Sequence, residues 1–120
     1  MSGTVSIEGE NLVLELHGVD TILAFKRSIT IPVKHVLSVS TDKVDWVSFH
    51  QIRVVGTSIP GVVRDGHYLT SDGAMFSEMH DPDKCITIML NDETYKKIIF
   101  QVEDKESAAM MISAAIAKTR

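Results

Sequence analysis

The sequence predicts a mainly β domain that ends in one α-helix. Two observations carry this. Apolar residues recur at every second position in several short runs, which is the period of half-buried strands. Beyond residue 103 the period becomes helical, and Ala108, Met111, Ile112, Ala115 and Ile116 fall on one side.

In chain order, the first run is Leu12, Leu14 and Leu16, alternating with Val13, Glu15 and His17. Gly18-Val19-Asp20 follows it as a turn. Ile29, Ile31 and Val33 continue the pattern, and Pro32 within it suits a sheet edge or a bend because it has no backbone N–H to donate. His67–Thr70 and Ala74–Met79 flank Ser71-Asp72-Gly73. Asp72-Gly73 reads as a hairpin turn, since that pair tolerates positive φ. With that turn, Leu69 faces Phe76 and His67 faces Glu78. Ile86, Ile88 and Leu90 precede the Asn91-Asp92-Glu93 turn, and Ile98, Phe100 and Val102 follow it. The expectation is about seven antiparallel strands in hairpin-connected order.

The helix is expected over roughly residues 105–118. Asp104 suits its N-cap, and Glu106 at the start with Lys118 and Arg120 at the end complements the helix dipole. Residues 42–66 lack a clean period and carry Gly56, Pro60, Gly61 and Gly66, so they read as an irregular insert, with Val44, Val47 and Ile52 compatible with one side of a helical turn.

The chain has 120 residues, the size of one domain, so residues 1–120 are expected to form a single unit. With 44% hydrophobic and 23% charged residues it can build a core, which excludes the disordered class. A single cysteine, Cys85, forms no internal disulfide and fits a reducing compartment. The first residues do not read as a signal peptide, and no apolar stretch approaches the ~18 residues of a membrane span. A cytoplasmic location is expected. The net charge of −4 offers no general attraction to phosphate-rich partners, so neither nucleic acid nor strong membrane binding is expected.

Short strands followed by one terminal amphipathic helix resemble the pleckstrin-homology-like (PH-like) fold. The run Ile29-Thr30-Ile31-Pro32-Val33-Lys34-His35-Val36 is similar to a segment that leads into the third strand of bacterial PH-like domains. Gly56–Val62 and Asp81-Pro82-Asp83-Lys84 with Cys85-Ile86-Thr87-Ile88 are similar to uncharacterised members of that group. The likeness covers roughly residues 8–118 and implies a bent seven-stranded barrel with the helix capping one open end. Eukaryotic members bind phosphoinositides through basic residues in the first hairpin loop. Here that loop reads His17-Gly18-Val19-Asp20-Thr21, without Lys or Arg.

Few residues suggest chemistry. Facing each other on a hairpin, His67 and Glu78 could act as acid and base or ligate a metal, or form an ordinary cross-strand polar pair. Glu78, His80, Asp81 and Asp83 supply oxygens in one short stretch, but without EF-hand spacing, and Pro82 points to a solvated turn. The histidines show no HxH or HxxxH spacing, so no metal site and no cofactor is expected. Cys85 as a nucleophile would need a base such as His80, whereas a small buried hydrophobe needs nothing. No phosphate-binding glycine loop and no G-x-S-x-G frame is present. Trp46 and Phe49 in the insert could contact a ligand or partner, or pack onto the barrel.

The functional expectation is a non-enzymatic scaffold or protein-interaction module that self-associates. The helix carries it, because Ala109, Met110, Ser113, Ala114 and Ala117 occupy the side opposite its core stripe, where charges would face water. Ala109, Met110, Ser113 and Ala117 are therefore the expected oligomer contacts. A small-ligand or lipid-headgroup binder using the barrel mouth near Trp46, Phe49 and His67 is the alternative, and a Cys85-dependent hydrolase is a third reading.

Overall fold

A computed structural model describes residues 3–17, 28–43, 52–59, 63–70 and 73–119, the side chains of 52–59, 63–65 and 69–70 excepted. Among these residues the chain forms nine strands in two sheets, with one C-terminal helix. The fold is mainly β, as expected, but the sheets do not close into a barrel.

The smaller sheet is a meander of β1 (Thr4–Glu8), β2 (Asn11–Glu15) and β3 (Ser28–Pro32). Glu8 pairs with Asn11 across a two-residue turn, Gly9-Glu10. Gly9 takes φ 62 there, a conformation that a Cβ disfavours. In β3, Ile29 and Ile31 point inward while Ser28 and Thr30 face water. Pro32 ends this strand at the sheet edge, as its missing N–H requires. Strand β1 is absent from the sequence reading, and the first hairpin turn is Gly9-Glu10 rather than residues 17–21. The segment Thr4-Val5-Ser6-Ile7-Glu8 places only two large apolar residues in period two, too few to stand out.

The larger sheet has the order β4-β8-β9-β7-β6-β5. Its strands are β4 (Val36–Ser40), β5 (Ile52–Ile59), β6 (Val63–Thr70), β7 (Gly73–Met79), β8 (Cys85–Leu90) and β9 (Lys97–Gln101). Three expectations are corrected here. Residues 52–59 and 63–66 lie in strands β5 and β6, not in an irregular insert, and pair with each other across a register shift near Val55. The β6–β7 hairpin pairs Thr70 with Gly73, which sits at φ 127, so its register differs by two residues from an Asp72-Gly73 turn. His67 therefore faces Phe76, and Glu78 faces Asp65. Finally, β9 runs parallel to β7, so the sheet is not purely antiparallel. Hairpin β8–β9 places β9 between its own partner and β7, a long-range pairing without a local signal.

The helix, α1 (Lys105–Thr119), lies where its period predicted it. Asp104 Oδ1 accepts the Ser107 N–H at 3.1 Å, the expected N-cap. Lys105 Nζ donates to the Thr41 carbonyl at 2.8 Å, and α1 packs against β4, β1 and the short 3-10 turn Val33–His35. Leu12, Leu14, Ile31, Phe76, Ile86, Ile88, Ile98 and Phe100 from the two sheets meet Ala108 and Ile112 of α1 in one core. Gly3 joins the sheets, since its N–H donates to the Gln101 carbonyl at 2.9 Å. A Cβ there would lie 2.1 Å from Phe100 Cζ and 2.8 Å from the Glu15 carbonyl oxygen, so only glycine permits this approach.

Candidate functional site

Polar side chains gather at one end of the larger sheet. Glu78 in β7 is fully buried, and its Oε1 accepts the Gln101 N–H at 3.3 Å. Gln101 Oε1 accepts the N–H groups of His80 and Asp81 at 2.6 and 2.7 Å, holding the chain as it leaves β7. Asp81 Oδ1 accepts the Asp83 N–H at 2.9 Å and caps the 3-10 turn Pro82–Lys84. The Cys85 thiol, fully buried, donates to the Asp81 carbonyl at 3.4 Å. These contacts fix a corner of the backbone. The expected solvated turn is thus tied down from inside, with buried Pro82 and an exposed Asp83. Among the described residues no group of three or more His, Cys, Asp or Glu side chains is placed around a metal position.

His67 and Glu78 share a face of the sheet, since they alternate in step with Phe76, but the register sets them diagonally. Tyr95 comes up against His67, its phenol 2.5 Å from His67 Nδ1 and the two rings stacked at 5.5 Å. Phe76 meets the imidazole edge-on at 5.4 Å. Burial pushes the Tyr95 phenol above its usual 10.0, so it stays protonated and donates whenever Nδ1 is bare. Such a pair can hold or pass one proton. A second imidazole contact, His35 Nδ1 to Glu93 Oε2 at 2.5 Å, ties the Val33–His35 turn to the β8–β9 connection. Tyr95, Gln101 and Glu93 went unread in the sequence. Their partners lie 28, 20–21 and 58 residues away, beyond any spacing pattern. Trp46 and Phe49 lie outside the described residues.

The helix surface differs from the other sites in being open. Ala108 and Ile112 are buried, and Ala115 and Ile116 are half-buried. Met111, expected in the core stripe, is 42% exposed, while Ala109, expected outside, is half-buried. The helical step explains the exchange: measured from Ile112, Met111 lies about 100° round the helix and Ala109 only about 60°. Met110 is 73% exposed, and Ser113, Ala114 and Ala117 are exposed beside it. Two grooves run between α1 and the first hairpin. One, of about 910 Å³, has Ile7, Pro32, Val33, Met111 and Ala115 in its walls, with Glu10, Lys34 and Lys118. The other, of about 570 Å³, lies by Gly3, Thr4, Val5 and the start of the helix, and Met111 borders both. No helix among the described residues is long and apolar enough to cross a membrane.

No family model, no curated protein and no solved structure matches this chain.

Proposed function

We propose that this chain is a non-enzymatic scaffold of PH-like fold that works by association, first of all with itself. The observation that carries the reading is the outward face of α1. It exposes Met110 and Met111 and presents no charge from Ser107 to Ala117. A helix that faced only water would carry charges there, and exposed methionines suit adaptable contact surfaces. The PH-like part of the reading is supported by a meander that shares one core with a second sheet and by a terminal helix that packs on both. The parallel β7–β9 pair departs from that pattern. A hydrolase centred on Cys85 has little support, because the thiol is buried and engaged with the Asp81 carbonyl.

A binding reading rests on the 910 Å³ groove beside Met111, whose apolar walls, with Lys34, Lys118 and Glu10 at their edges, suit an amphipathic small molecule.

Sedimentation equilibrium tests the association. The wild type is expected to be oligomeric at tens of micromolar, and Met110→Glu, Ala117→Lys to be monomeric with an unchanged circular dichroism spectrum. A monomeric wild type would end the reading. An oligomer indifferent to both substitutions would move the contact away from α1.

A further inference from the structure

We infer that the partner seated on α1 is a second copy of α1, packed antiparallel on its outward face across a two-fold axis at the level of Ile112. The inference rests on the self-association proposed above and fixes its geometry.

The outermost line of the helix is Ser107, Met110, Ala114 and Ala117, all exposed. Their spacing of three, four and three residues is that of a two-helix seam. The line is symmetric about position 112. Turned end for end, it sets Ser107 of one copy against Ala117 of the other and Met110 against Ala114. Each methionine then meets an alanine, so large packs against small twice and the helices approach closely. One flank brings Met111 beside Met111, the other Ser113 beside Ser113, both near the axis.

Charge decides between antiparallel and parallel. Glu103, Asp104 and Glu106 crowd the start of α1, where Lys105 is drawn aside to the Thr41 carbonyl, and Lys118 stands at its end. Asp104 and Lys118 are exposed. Antiparallel packing lays Lys118 of each copy alongside Asp104 of the other, and the helix dipoles oppose. Parallel packing would lay this net-acidic start against its own copy and leave the Lys118 side chains without an opposite charge. The two-fold also makes the contact closed, so assembly stops at a dimer through this face.

Single cysteines report the register, with buried Cys85 left in place and the wild type as control. Ser107→Cys alone is expected to give no disulfide-linked dimer under mild oxidation, because its two copies lie about 15 Å apart along antiparallel axes, beyond the ~7 Å between Cα atoms that a disulfide spans. An equimolar mixture of Ser107→Cys and Ala117→Cys chains is expected to link as the mixed dimer. Self-linking of Ser107→Cys would show parallel packing and overturn the inference. An oligomer by sedimentation in which the mixture does not link would also overturn it, while leaving self-association standing. A monomeric wild type would overturn both.

Discussion

The two sheets contrast in how far the chain travels to build them. The meander β1–β3 is made of consecutive strands, with a two-residue turn at its first corner. Its register follows from Gly9 and from the inward leucines of β2. The six-stranded sheet is assembled from distant parts: β4 pairs β8, and β9 enters between β8 and β7. The sheets join at Gly3, which bonds to the Gln101 carbonyl and lies against the Phe100 ring. Local chemistry therefore sets the meander, and side-chain packing sets the order of the larger sheet. Three substitutions probe this division.

Phe100→Ala should have the largest effect. The ring is fully buried in the common core and meets both sheets. Its removal is expected to destabilise by about 3–5 kcal/mol. Urea unfolding at one fixed chain concentration would measure this, since self-association would otherwise add to stability. A loss near 1 kcal/mol would mean that the two sheets hold together without the ring.

Gly9→Ala perturbs the meander alone. Nothing lies within 4 Å of a Cβ at Gly9, so crowding plays no part. The whole penalty comes from φ 62, and roughly 1–2 kcal/mol is expected. An unchanged urea midpoint would remove the turn from its role in setting the register of β1 and β2.

The same division explains what could be read from the sequence. Leu12, Leu14, Leu16, Ile86, Ile88, Leu90, Ile98, Phe100 and Val102 were placed in the core by period two, and each is buried there. The helix was legible because fifteen residues keep one period and an N-cap precedes them. Half-burial was too simple a picture for the larger sheet. Tyr68, Met75, Met79, Cys85 and Ile99 form a second buried cluster, and Ser77 and Gln101 are buried as well. Strands covered on both faces lose clean alternation, which is one reason β9 gave no hint of a parallel neighbour. The site was less legible than the fold. His67 and Glu78 were placed on one face correctly, but a register difference of two residues exchanged their partners. Tyr95 comes to His67 only through the long-range fold. The outward side of α1 was legible as uncharged, and its exposure is what the structure adds.

The smallest expected effect belongs to Tyr95, which lies in the connection between β8 and β9, with its phenol on β6. Burial is the cause of its raised pKa, because the charged phenolate is disfavoured away from water. An acid whose folded pKa lies above its unfolded value binds its proton more tightly in the folded state. The resulting stability is fully present below the unfolded value, near 10.0, and is lost as the pH rises through the folded one. The phenolate also gives up the proton that it shares with His67 Nδ1. Wild type should therefore lose stability more steeply above pH 10 than Tyr95→Phe, which keeps the ring beside Phe76 and has no proton to release. Urea midpoints for both proteins from pH 8 to pH 11 give the comparison, with the other tyrosine, Tyr68, common to both chains. Parallel profiles would show that the phenol titrates alike in the folded and unfolded chains. The Tyr95–His67 contact would then contribute nothing that depends on the proton, and the link between the β8–β9 connection and β6 would reduce to ring packing.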